Sequence, residues 1–300
     1  MLFNKMLQTI KSNPEYHKVL KKMNPILFDV SLRDGIQNAK AENYPTAIKK
    51  EVFHDILEKF SPTNLEIGSF VNPKILPIMD DTLELYKYSK NTANLNTYVL
   101  IPSIKKLDLA IENKITHLSF ITSVSNVFQV KNTGKSLNET KYDLKTLFQK
   151  LSREPEQKYT TKLYISCINR CPFMGKLPEY YIIGEIMHYY ENYPFTEFCI
   201  SDTCGTLDFE NFKFILESCK KHGISFSKFS LHLHILSENI TNVEKILFYC
   251  FENDINKFDV SYLETGGCSV TMKQDKICQN LSYDLFYSIL LKYIENRGKK

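Results

Sequence analysis

Residues 26–60 read ILFDVSLRDGIQNAKAENYPTAIKKEVFHDILEKF. The opening run, Ile26–Arg33, is short, apolar and rich in β-branched and aromatic side chains, which predicts a strand. A polar loop follows. Thr46–Phe60 then places Ala47, Ile48, Val52, Phe53, Ile56, Leu57 and Phe60 on one side, the spacing of an amphipathic helix. This strand–loop–helix unit recurs along the chain. The further strand runs are Asn64–Phe70, Leu95–Ile101, His117–Val124, Lys162–Ile168, Glu197–Asp202, Phe229–Ile235 and Lys257–Leu263. Helices are expected over Asp208–His222, which has a capping Asp and a terminal Gly223, and over Ser237–Phe251. The one long connection, Ser125–Thr161, is polar and is expected to hold a helix near Tyr142–Leu151.

Strict alternation of strand and helix implies a parallel sheet, because parallel neighbours need crossover connections. Eight such units without a compositional break point to a closed (β/α)8 TIM barrel of the α/β class rather than an open sheet. The 300 residues fit one barrel, which needs about 250. The expected organisation is a basic extension over residues 1–24 and one barrel over 25–300, with the chain stopping shortly after its eighth helix.

Hydrophobic residues at 43% and charged residues at 24% exclude a disordered, collagen-like or coiled-coil chain. No apolar run approaches the roughly 18 residues of a membrane span, so no membrane partner is expected. The net charge of +4 is concentrated in residues 1–25, where Lys5, Lys11, Lys18, Lys21 and Lys22 face only Glu15. A charge-balanced body argues against a nucleic-acid partner. The basic leader lacks the apolar core of a secretory signal, and although amphipathic it has no arginine and does contain an acid. The expected compartment is therefore the cytoplasm, with the mitochondrion left open. The eight cysteines, scattered through apolar stretches of a chain large enough to build its own core, read as reduced thiols.

A barrel puts its chemistry at the C-terminal ends of its strands. The polar residues that a plain core would not explain fall there: Arg33-Asp34-Gly35, Glu66 and Ser69, Asp202-Thr203, and Gly266-Gly267-Cys268. In Leu231-His232-Leu233-His234-Ile235 the two histidines share one sheet face. They suit a metal pair, to which Asp34 could add an oxygen ligand; a hydrogen-bonded core pair is the plainer alternative. Arg33 is the only arginine among the first 152 residues, and its planar charged fork suits a carboxylate or a developing enolate oxygen. Glu66, inside an apolar strand, needs a partner if it faces the barrel, and Arg33 is the nearest candidate. Cys268 follows two glycines, where a mobile thiol could close over a substrate.

Together these residues resemble a known family. Phe28–Gln37 resembles the first-strand signature of the DRE-TIM metallolyase superfamily. Glu66-Ile-Gly-Ser-Phe-Val-Asn-Pro-Lys74, Ser166-Cys167 with Cys171-Pro172-Phe173, Ser201-Asp202-Thr203, the His232/His234 pair and Gly266-Gly267-Cys268 are similar to the 3-hydroxy-3-methylglutaryl-CoA lyase family within it. The resemblance runs from about Pro25 to Ile289. It implies a magnesium or manganese ion held by Asp34, His232, His234 and Asn280, and an acyl-CoA thioester as substrate, contacted by Arg33, Gln37 and Ser69. It implies that Arg33 steadies an enolate, that Cys268 helps protonate it, and that Glu66, Asp202 and His232 belong to the catalytic set. A related acyl-CoA lyase, a Claisen-type synthase of the same superfamily, or an impaired barrel kept as a binding protein are the alternatives, and a homodimer is open to it. The chain departs from the family at Ile235, where an acid is usual, and at Lys276-Ile277-Cys278-Gln279, which replaces a glycine-rich stretch.

Overall fold

The computed structural model describes residues 8–9, 12–154, 156–263, 266 and 278–298. Eight strands form one parallel sheet: β1 (Ile26–Asp29), β2 (Asn64–Ser69), β3 (Asn96–Leu100), β4 (His117–Ser123), β5 (Thr160–Ser166), β6 (Glu197–Asp202), β7 (Phe229–Ile235) and β8 (Lys257–Val260). Each pairs with the next, and β8 pairs with both β7 and β1, so the barrel is closed. The (β/α)8 expectation is met.

The helices in chain order are α1 (Pro14–Met23), α2 (Thr46–Phe60), α3 (Thr82–Ser89), α4 (Ile104–Glu112), α5 (Asn126–Thr133), α6 (Leu137–Leu151), α7 (Glu179–Asn192), α8 (Phe209–Lys221), α9 (Ile240–Glu252) and α10 (Tyr283–Gly298). The connection after β4 holds two helices where one is expected. Ser125 caps α5 by accepting from the Phe128 N–H, and Ser136 and Glu139 form a reciprocal capping box at α6. Helix α1 starts on an Asn13 cap with Pro14 in its first turn, and lays Tyr16, Val19, Leu20 and Met23 against the main core.

Two cores follow from strand alternation. Outward-facing residues such as Leu27, Leu65, Leu163, Leu231 and Leu233 join the helices in one large apolar cluster. Inside the barrel the apolar filling is small: Phe28, Val30 and Tyr98 in one cluster, Leu100, Tyr164 and Cys199 in another. The remaining interior is polar and buried, with Glu66, Ser119, Lys162, His232 and Asp259 among its residues.

Strand one differs from the expected run. It ends at Asp29, and Ser31–Gly35 form a π-helical turn carrying Arg33 and Asp34. Asp29 fixes that turn: Oδ1 accepts from the Ser31 N–H at 2.9 Å and Oδ2 from the Tyr283 hydroxyl at 2.9 Å. Burial raises the Asp29 pKa to about 6 despite these donors. On β2 the register slips between Glu66 and Gly68. A Cβ at Gly68 would lie 2.5 Å from Thr82 Oγ1, so only glycine lets α3 approach the strand this closely.

Candidate metal centre

His232 and His234 project from β7 into the barrel, opposite Leu231 and Leu233, as the alternation requires. His232 Nδ1 lies 3.2 Å from Asp259 Oδ2, and His234 Nδ1 lies 3.2 Å from the Thr203 carbonyl oxygen. An ionised carboxylate and a carbonyl only accept, so both Nδ1 atoms carry the proton. The two Nε2 atoms then present lone pairs to each other at 3.2 Å. Asp34 Oδ2 stands 3.9 Å from His232 Nε2 and 3.6 Å from His234 Nε2.

Ligand atoms of Asp34, His232 and His234 all lie within 4.8 Å of one another, and all three residues are buried. With both imidazoles neutral, three acceptors converge there, and a cation in place of a shared proton removes their repulsion. The donor set of two imidazoles and a carboxylate fits a divalent ion. Asn280 joins them, its Nδ2 donating to Asp34 Oδ2 at 2.9 Å. It gets there because the two-residue strand Gln279–Asn280 pairs antiparallel with Ile235 and His234, so Ile235 takes part through its backbone.

The other oxygen of Asp34 is held on the opposite side. Oδ1 accepts from Arg33 Nη1 at 2.7 Å and from Gln37 Nε2 at 2.7 Å. Burial would push the Asp34 carboxyl up, but Arg33, joined by the two histidines in their protonated form, outweighs it and holds it well below the usual range. Arg33 Nε donates to Glu66 Oε2 at 2.5 Å, the partner that Glu66 needed. Burial disfavours the guanidinium, yet Glu66 and Asp34 keep its pKa above the ordinary value. Glu66, 0% exposed, also accepts from Ser119 Oγ and from the Tyr164 hydroxyl at 3.2 Å. The Tyr164 ring lies 5.1 Å from the Arg33 guanidinium carbon and edge-on to His232.

Ser69 closes the end of β2, donating to the Leu100 carbonyl and accepting from the Val71 N–H. Asp202 accepts from the Cys204 N–H at 3.3 Å and the Leu207 N–H at 2.8 Å, and burial raises its pKa. It thereby shapes the loop whose Thr203 carbonyl holds His234. Cys268 lies outside the described residues. No disulfide joins any two of the seven described cysteines.

Sequence reasoning missed Lys162 and Asp259. Asp259 on β8 accepts from Lys162 on β5 through Oδ1 and from His232 through Oδ2. Burial would raise the Asp259 pKa; Lys162 and His232 bring it below the ordinary value. Alternation along Lys257–Leu263 puts an acid inside the barrel, and that was the available signal.

Comparison with known proteins bears on the family and the fold. The HMGL-like family model matches residues 24–237. Hydroxymethylglutaryl-CoA lyase YngG of Bacillus subtilis is 27% identical over 244 residues, 80% of this chain and 77% of that protein. The mitochondrial hydroxymethylglutaryl-CoA lyase of Macaca fascicularis is 27% identical over 179 residues, 60% of this chain, so the match spans about half (53%) of that relative's length. Among solved structures, an HMG-CoA lyase from Acinetobacter baumannii in complex with coenzyme A and 3-methylmalate superposes with a TM-score of 0.76 at 22% identity, covering 92% of this chain and 90% of that one. The hydroxymethylglutaryl-CoA lyase of Pseudomonas aeruginosa gives 0.75 at 20% identity, covering 92% and 91%. Among the described residues, no helix is long and apolar enough to cross a membrane. With the family model spanning most of the barrel, and the first-strand turn and the histidine pair meeting at one mouth, the chain belongs to the HMGL-like family of lyase enzymes.

Proposed function

We propose that the protein cleaves 3-hydroxy-3-methylglutaryl-CoA to acetoacetate and acetyl-CoA at a magnesium or manganese centre formed by Asp34, His232, His234 and Asn280. The observation that carries this reading is the convergence of Asp34, His232 and His234 beside the buried Arg33 fork. A bound dication would lower the pKa of a coordinated hydroxyl and neutralise an adjacent carboxylate. In the cleavage Asp202, whose pKa burial raises, takes the proton of the tertiary hydroxyl. The C2–C3 bond breaks as the ketone of acetoacetate forms, and its electron pair becomes the enolate of acetyl-CoA, which takes a proton at carbon.

Each residue has a task in that sequence. Arg33 meets the enolate oxygen with a charge already desolvated. Glu66, committed to Arg33, Ser119 and Tyr164, orients that fork rather than exchanging protons. Asp202 holds the loop behind His234, Cys268 supplies the proton to carbon, and Gln37 and Ser69 line the acyl end. Coenzyme A in the Acinetobacter baumannii relative supports an acyl-CoA thioester as the substrate class. The cytoplasm is the compartment proposed.

Purified protein with the thioester and Mg2+ releases acetoacetate and acetyl-CoA in equal amounts on this reading, and His234→Ala abolishes the release. Condensation of acetyl-CoA with a 2-oxo acid, without cleavage of the thioester, assigns the protein to a synthase instead. No product in either direction removes the enzymatic reading.

A further inference from the structure

The two histidines are locked in unlike ways. His234 leans on a backbone carbonyl. His232 leans on Asp259, a side chain carrying a full charge, and that charge has its own counter-ion. Lys162 is 1% exposed. It reaches from β5 across the barrel interior to Asp259 Oδ1, with a second carboxylate, Glu197 Oε1, at 3.2 Å. Its ammonium sits 3.8 Å from the Phe28 ring centroid and 4.9 Å from that of Tyr164. Burying an ammonium costs several kcal/mol unless it is paired, so an arrangement that keeps one here holds the partner carboxylate ionised.

An ionised Asp259 can only accept. Facing Nδ1 at 3.2 Å, it demands a proton there, and in the neutral imidazole that leaves Nε2 bare toward Asp34 and His234. A neutral side chain in its place could donate to Nδ1 instead. The imidazole proton would then move to Nε2, between the two other ligand atoms. We infer that Asp259, held ionised by Lys162, is a positioning residue that fixes His232 in the tautomer able to bind the metal. This rests on the reading of Asp34, His232 and His234 as a metal centre.

The test is a calorimetric Mn2+ titration of the full chain and its Asp259→Asn variant after metal removal, with circular-dichroism melts as the folding control. Wild type takes up one Mn2+, and D259N binds about 10- to 100-fold more weakly while melting cooperatively. Equal affinities overturn the positioning role and leave the metal centre standing; no uptake by wild type overturns both. Because D259N strands a buried lysine, a second measurement needs no variant. In metal-free protein carrying 15N-histidine, long-range proton–nitrogen correlation finds His232 protonated at Nδ1. Protonation at Nε2 overturns the inference.

Discussion

Arg33 shows how much a single residue type matters here. Its guanidinium spans two carboxylates, Glu66 through Nε and Asp34 through Nη1, a fork that a lysine ammonium cannot reproduce. If its task is to meet a developing enolate oxygen, Arg33→Lys lowers kcat by about 100-fold or more. Mn2+ affinity in the same variant stays within about threefold of wild type, because Arg33 touches the Asp34 oxygen turned away from the histidines. Steady-state kinetics beside a metal titration reads both numbers, and an unchanged kcat removes Arg33 from the reaction. Arg33, Asp34, His232 and His234 were legible because their types are rare or oddly placed. Lys162 was not: it is one of 34 lysines, and its partner Asp259 stands 97 positions away. Only barrel closure brings them together.

At the level of elements, the π-helical turn after β1 decides where Arg33 and Asp34 point. The sequence run reads as strand through Arg33 because Val30 and Leu32 keep the strand alternation going, and the turn is imposed by bonds distant in sequence. Asp29 is one of them, linking the turn to α10. Its native pKa of about 6 exceeds the ordinary 3.8, so the native state holds the proton more tightly than the unfolded chain. The stability this contributes is fully present below about pH 4 and is lost as pH rises through 6. Between pH 7 and pH 5 the wild type should therefore gain about 1 kcal/mol from this group. Urea unfolding at both values checks it: Asp29→Asn loses that gain, and an unchanged pH difference contradicts it. The additional helix after β4 is α5, only eight residues long and capped by Ser125 two residues after the strand ends, so apolar periodicity alone does not separate it from α6, whose start Ser136-x-x-Glu139 marks.

On the scale of the whole molecule, closure of eight strands gathers side chains from β2, β4, β5, β7 and β8, with those of the turn after β1, into one polar interior. The apolar residues that would fill a plain barrel are displaced to the strand–helix layer. That division explains why fold and site were legible to different degrees. Strand and helix patterns depend on neighbours in sequence, whereas the second layer of the site depends on which strands face each other across the barrel. It also puts the candidate metal site where the ends of β1 and β7 and the Gln279–Asn280 strand meet, a position that anomalous diffraction can examine in crystals grown with Mn2+. A single manganese peak at coordination distance from Asp34 Oδ2, His232 Nε2 and His234 Nε2 is the expected result. Density lacking manganese between those three atoms, with the protein otherwise ordered, would contradict the assignment.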